Sequence, residues 1–318
     1  MKLIKVAAGV VNQTPLAWDD NRNHLLAAIE CAKADGVSIL CLPEMCITGY
    51  GCEDAFHSPG LQLMAWDVLQ EILPATQGMI VSLGIPLAFQ NAIYNTACLV
   101  ADGKILGFVG KRFLAGDGLH YEPRWFKPWP EGCQVEFVRD GQTYKLGDLY
   151  FDCGGVRIGF EICEDAWVAD RPGDKLSRRG VEVILNPSAS HFALGKLEVR
   201  QRFVLEGSRA FGVSYLYANL MGNEAGRAIY DGGALIASGG KLCAVGPRFL
   251  YQDFHVTTAT IDIDQTRMQQ ARIGSFSPML SSTNPGCITA PFAYPSLEPT
   301  AKIPNTAAWE IGPHIKEE

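Results

Sequence analysis

Short apolar runs that stop abruptly at polar or turn residues recur along this 318-residue chain, and they constrain the fold more than any other feature. Lys5–Val11, Val37–Leu42, Met79–Ile85, Val156–Ile162 and Val181–Leu185 are nearly continuous in apolar side chains rather than alternating. That pattern belongs to strands covered on both faces. Helical spacing fills the gaps between them. Leu25, Leu26, Ile29 and Ala32 share one face of a helix that Asp20 is placed to cap and Asp35-Gly36 to stop. Leu63, Trp66, Leu69 and Leu73 mark a second helix over Leu61–Leu73, closed by Pro74, and Leu197–Ala210 reads as a third.

Other connections are too short for helices. Ala101-Asp102-Gly103 joins Tyr94–Val100 to Lys104–Val109, and Asp152-Cys153-Gly154-Gly155 joins Asp148–Phe151 to Val156–Ile162. Both read as hairpins. Val213–Asn219 and Ala234–Ala237 are further strands, and Gly239-Gly240-Lys241 turns the latter into Leu242–Val245. Strands joined partly by helices and partly by hairpins predict an α/β chain with mixed sheets covered by helices. Arg112–Pro130, rich in Gly, Pro and aromatics, reads as a long ordered loop of the kind that often carries function. Beyond Met268 the chain turns to Pro, Ser and Thr and reads as an extended tail, not a second domain.

Composition excludes several classes. With 34 acidic against 27 basic residues and a net charge of -7, the chain shows no basic stripe for nucleic acid. No apolar run is long enough to span a bilayer, and Met1–Val6 reads as a strand rather than a secretory leader. The ten cysteines include no Cys-x-x-Cys pair, which argues against a zinc ribbon or a thioredoxin-like motif. A cytoplasmic protein with reduced thiols is the expectation.

Three strand-like runs end in reactive groups: Glu44, Lys111 and Cys163. A nucleophile needs exposure where a strand turns over, with backbone amides nearby, and Cys163 has that position. A thiol is little ionised at neutral pH and needs a base or a cation. Glu44 is suited to take the proton. Lys111 is suited to lower the thiol pKa and to hold the oxyanion formed on an amide carbonyl, with the Glu164 N–H as a second donor. Taken singly, each residue has an ordinary explanation: a core thiol, or a solvated charge at a strand end. Spacing alone does not bring them together.

Leu42-Pro43-Glu44-Met45, Gly110-Lys111-Arg112 and Phe160-Glu161-Ile162-Cys163-Glu164 resemble, in order, the three catalytic segments of the nitrilase (carbon–nitrogen hydrolase) superfamily. Glu44–Phe56, Tyr121-Glu122-Pro123-Arg124-Trp125-Phe126, Ala189-Ser190-His191 and Tyr230-Asp231-Gly232 extend the resemblance to the glutaminase domain of glutamine-dependent NAD synthetases. The family implies a four-layer αββα sandwich over residues 1–290, with 291–318 as the tail, paired as a homo-oligomer, commonly a dimer. It implies Glu44 as general base, Lys111 as stabiliser of the tetrahedral intermediate and Cys163 as the residue acylated to a thioester. Glu122 matches a second acidic residue that positions Lys111 or the hydrolytic water. By position, Asp117, Ser190 and Lys196 fall where relatives bind the amino-acid end of glutamine. This chain has Asp117 and Lys196 where relatives carry Tyr or Arg.

No metal or organic cofactor is implied, because the covalent mechanism needs none. The fused relatives' Ser-Gly-Gly-x-Asp-Ser phosphate loop has no counterpart; Ser238-Gly239-Gly240-Lys241 reads as a hairpin turn. The expectation is a glutaminase supplying ammonia to an NAD synthetase, either as a separate subunit or as one domain of a longer protein. An ω-amidase, a carbamoyl-amide hydrolase or a nitrilase would use the same triad. A non-catalytic regulatory subunit would leave the triad apart or the pocket filled.

Overall fold

A computed structural model describes residues 1–224, 227–280 and 285–299. The first apolar run forms β1 (Leu3–Val11), followed by α1 (Trp18–Ala34) and β2 (Ile39–Cys41). Then α2 (Pro59–Ile72) leads into a meander of β3 (Ile80–Phe89), β4 (Ala92–Ala101) and β5 (Lys104–Gly110). The one-turn α3 (Glu122–Trp125) interrupts the expected loop before β6 (Gln134–Arg139) and β7 (Gln142–Gly147). The second half runs through β8 (Tyr150–Cys153), β9 (Val156–Phe160), α4 (Pro172–Arg178), β10 (Val183–Ser188), α5 (Lys196–Phe211) and β11 (Ser214–Asn219). After the two-stranded ribbon β12 (Met221–Glu224) and β13 (Ala228–Asp231) come β14 (Ala234–Ser238), β15 (Lys241–Val245), β16 (Phe254–Asp262), α6 (Ile263–Arg272) and β17 (Cys287–Ala290).

Two large sheets result, in the orders β16-β1-β2-β3-β4-β5-β7-β6 and β15-β14-β11-β10-β9-β8-β17. Each is mixed. β1, β2 and β3 are parallel where a helix or long segment crosses over, and β3, β4 and β5 are antiparallel where hairpins connect them. The second sheet repeats the logic, with β9, β10 and β11 parallel and β14 and β15 antiparallel. One apolar core lies between the sheets, where Val6, Ile39 and Leu99 meet Phe151, Ile158, Val183 and Leu216. A second packs α1 and α2 on the outer face of the first sheet through Leu25, Ile29, Trp66 and Leu69. A third packs α4 and α5 on the second sheet through Leu176, Val204 and Tyr215. The layers are therefore α, β, β, α. Burial on both faces is why the central strands read as continuous apolar runs.

Three local expectations change. The first helix starts at Trp18, with no side-chain cap, so Asp20 sits inside the first turn, where it complements the helix dipole. β6 and β7 escaped notice because they form a mostly exposed edge hairpin with polar residues throughout. The stretch beyond Met268 is not simply a tail: α6 continues to Arg272, and β17 pairs in parallel with β8. Tyr294 O–H then donates to the Cys153 carbonyl at 3.0 Å. Residues 300–318, most of the expected tail, lie outside the described residues.

Candidate active site

The three strand ends that carry Glu44, Lys111 and Cys163 meet between the sheets. β9 stops at Phe160, and three residues later Cys163 opens a 3₁₀ turn, Cys163–Ala166, with φ at +46°. A left-handed non-glycine residue costs about 1–2 kcal/mol and persists only where its surroundings enforce it. Asp165 supplies much of that enforcement. Its Oδ2 accepts from the Ile162 N–H at 2.9 Å. Its Oδ1 accepts from the Arg112 and Phe113 N–H groups at 3.1 and 2.8 Å. One carboxyl thus ties the cysteine turn to the segment beginning at Lys111.

Lys111 and both acids are completely shielded from solvent at their side chains. Lys111 Nζ donates to Glu44 Oε1 at 2.6 Å and to Glu122 Oε1 at 2.7 Å. Glu44 also accepts from Asn95 Nδ2 at 2.7 Å on Oε1 and from the Ala189 N–H at 2.9 Å on Oε2. Glu122 accepts from the Tyr50 O–H at 2.6 Å and from the Ala115 N–H at 3.1 Å. Gly84 on β3 makes room for the Glu44 segment, since a Cβ there would lie 2.2 Å from the Met45 nitrogen.

Electrostatics follow from this packing. Burial and then the Glu44 charge push the Cys163 thiol well above its ordinary range; Lys111 pulls the other way without prevailing. Lys111 therefore does not produce a standing thiolate, and attack needs a base at the moment of reaction. Burial works against the Lys111 ammonium, but Glu122, Glu44 and Cys163 outweigh it and hold the amine charged. Burial lifts the Glu122 carboxyl to about 7, with Lys111 opposing and Glu44 reinforcing the shift. Burial likewise lifts Asp165 to about 7, against Lys111 and its backbone donors.

Cys163 opens onto a cavity of about 210 Å³ whose walls include Asp117, Glu164, Ser190, His191 and Lys196. All four residues expected to bind substrate thus share one cavity with the thiol. Two carboxylates and one ammonium beside a nucleophile suit a zwitterionic amino acid. Ser190 and His191 are held by Arg200, whose Nη2 donates to the carbonyls of both at 2.7 and 2.9 Å. Its Nη1 grips Asp231 bidentately at 2.8 and 2.9 Å. Arg200 was invisible in the sequence because it stands among charged helix residues that read as a solvated face. Asp165 and Tyr50 were also missed, although Tyr50 lies within a recognised segment and Asp165 directly follows one.

A carbon–nitrogen hydrolase family model matches residues 5–273. The glutamine-dependent NAD(+) synthetase of Saccharomyces cerevisiae is 36% identical over 284 residues, 86% of this chain and 40% of the yeast protein. A solved glutamine-dependent NAD(+) synthetase from Cytophaga hutchinsonii matches with a TM-score of 0.77 at 44% identity, over 82% of this chain and 43% of that one. An amidase from Nesterenkonia sp. shares the fold, with a TM-score of 0.66 at 17% identity over 85% of this chain and 94% of that one. The chain spans about 40% of the length of the yeast relative. This sequence, with its thiol turned out of a buried strand onto a carboxylate–ammonium pair, belongs to the carbon–nitrogen hydrolase family and is a hydrolase of carbon–nitrogen bonds.

Proposed function

We propose that this chain is a glutamine amidohydrolase whose ammonia serves an NAD synthetase, carried as a further domain or as a separate subunit. The observation that carries the reading is the cavity that sets Cys163 beside Lys196, Asp117 and Glu164. Lys196 and Ser190 take the α-carboxylate of glutamine, and the two acids take its α-ammonium. This places the side-chain amide over the thiol. Glu44 accepts the thiol proton as Sγ attacks, and the oxyanion rests on Lys111 and the Glu164 N–H. Glu44 returns the proton to the departing ammonia. It then draws a proton from the water that cleaves the thioester. Glu122 keeps Lys111 charged and in place.

In this reading residues 1–290 form the amidase unit, which works as a dimer in the cytosol, where Cys163 stays reduced. The test is ammonia and glutamate release from glutamine by the purified chain and by Cys163→Ala. Equal rates for the two would sink the triad assignment. Turnover of short ω-amides or carbamoyl amides in preference to glutamine would keep the triad and sink the substrate. The partner is tested by adding an NAD synthetase, which should raise a low basal rate.

A further inference from the structure

A chain of hydrogen bonds leads from Glu122 to the wall of the cavity that Cys163 opens onto, where His120 and His191 both lie. Tyr50 O–H donates to Glu122 Oε1 at 2.6 Å and also lies 3.1 Å from His120 Nδ1. His120 Nε2 is 2.8 Å from His191 Nδ1. His191 in turn is within 3.2 Å of Lys196 Nζ. His191 is only partly buried and lines the substrate cavity, whereas Glu122 and Lys111 have no contact with solvent. Every link therefore has hydrogen-bonding geometry, from the fully buried Glu122 to the cavity wall.

The reaction gives such a chain a task, on the glutaminase reading above. Thioester formation consumes the thiol proton and returns it to the leaving ammonia, so the site is left neutral in protons. Hydrolysis differs: thioester and water yield the thiol, a carboxylate and one proton. If ammonia is to leave uncharged, that proton has to depart by another route. We propose that Tyr50, His120 and His191 form a proton relay that discharges the triad after each deacylation. Glu44 receives one proton of the attacking water, while the other, carried on the new carboxyl group, goes to the leaving sulfur and restores the thiol. Lys111 accepts the first proton from Glu44 as it gives one of its own to Glu122, with which it shares the same kind of contact. Once Glu122 is protonated the Tyr50 O–H turns from Glu122 to His120 Nδ1, and Glu122 passes its proton to the Tyr50 oxygen as the Tyr50 hydrogen moves to His120. The His120 Nε2 hydrogen then moves to His191, which releases its proton at the cavity.

The charges around the chain favour passage over storage. Burial drives the His120 imidazole down to about 3, with His191, Lys111 and Lys196 adding to the effect. Burial and then Lys196 also lower His191. Both rings are thus neutral at rest, each with one nitrogen able to accept and one able to donate. Glu122, lifted to about 7, can both take up and release a proton near neutral pH. Lys196 and Arg200 stand near His191 as positive charges that oppose a trapped imidazolium.

Rapid-quench measurement of the first turnover, beside the steady state, separates the relay from the reaction it serves. Wild-type enzyme should release ammonia from glutamine through a thioester that acid quench traps; no such turnover would overturn the glutaminase reading itself. In Tyr50→Phe and His120→Phe, the first-turnover ammonia burst should persist while the steady-state rate falls on the order of 100-fold, the lower end for a positioned proton-transfer group. The thioester should accumulate, the rate should become dependent on buffer concentration, and His191→Ala should be rescued by added imidazole. A burst that falls as far as the steady state in both phenylalanine variants would mean that these residues only position Glu122, and would overturn the relay. So would steady-state rates that stay at the wild-type level and show no response to buffer or imidazole.

Discussion

Asp165 offers the sharpest test of how this site is assembled, because one carboxyl holds two catalytic segments. Replacement by alanine strands three backbone N–H groups: Ile162, which is buried, and Arg112 and Phe113, which are half-buried. A stranded buried donor costs about 1–3 kcal/mol, and a lost hydrogen bond that water can replace costs about 1 kcal/mol. Asp165→Ala should therefore lose about 3–5 kcal/mol. Asp165→Asn keeps an oxygen for Arg112 and Phe113 but turns an amide N–H toward Ile162, for a loss of about 1–3 kcal/mol. Both replacements shed the desolvation penalty that lifts the native carboxyl to about 7, so it offsets part of each loss and the gap between the two variants is the signal. Guanidinium unfolding at pH 8 reads both numbers from the midpoint and slope. In stable conditions, kcat for ammonia release should fall in both variants more than KM rises, because Lys111 and Cys163 lose their common anchor, and a misplacement of about 1 Å can cost on the order of 100-fold. The reasoning fails if alanine and asparagine destabilise equally. It fails also if the alanine variant unfolds at the wild-type midpoint, or keeps wild-type kcat.

Three further outcomes follow from the geometry. Glu122 binds its proton more tightly in the folded chain, with a pKa near 7 against an ordinary 4.5. Its contribution to stability is therefore lost as pH rises through that window. Denaturant midpoints of Glu122→Gln should gain on the wild type between pH 4.5 and 7, and a constant gap would contradict the shift. Arg200→Met leaves Asp231 buried with Arg248 alone, at 2.7 Å, and frees the carbonyls of Ser190 and His191. Thermal unfolding should report a loss of about 3 kcal/mol, the low end for breaking a buried pair, and KM for the substrate should rise more than kcat falls; an unchanged KM would refute the clamp. Alkylation of Cys163 by iodoacetamide, followed by mass spectrometry, should keep rising past the pH where an exposed thiol levels off, because burial and Glu44 hold the thiol protonated. A plateau near neutral pH would refute that order of charges.

The apolar runs made the layers legible, because strands buried on both faces have no choice but continuous hydrophobicity. Edge elements were not legible for the converse reason. β6 and β7 lie largely in solvent and β17 is four residues long, so none carries a periodic signal. At the site, the ordered segments carry Glu44, Lys111 and Cys163, which the fold brings together, but they name these side chains and not their supports. In sequence Asp165 is one more acid close to the thiol, with nothing to mark it as a support. The fold instead directs it at backbone N–H groups on two different strand connections. Arg200 occupies a helix position between the exposed charges of Glu198 and Arg202, and only the tertiary placement of Asp231 explains its burial. Residues whose role is to hold other residues take their meaning from partners distant in sequence, and no local pattern records those partners.

The same packing accounts for the chemistry available to Cys163. The three charges of Glu44, Lys111 and Glu122 sum to one negative unit when both acids are ionised, sealed from water next to the thiol. A thiolate there would add a second negative charge to a space with one cation, and the thiol therefore stays protonated until substrate arrives. In the reaction proposed above, an amide carbonyl entering the cavity changes the balance, since Lys111 is the cation that would meet its developing oxyanion. Proton transfer from Sγ to Glu44 then coincides with bond formation, and negative charge moves from sulfur to the carbonyl oxygen without ever resting on a free thiolate. A site built this way is protected from oxidation and alkylation between turnovers, because the thiolate that those reactions require is the state its own charges suppress.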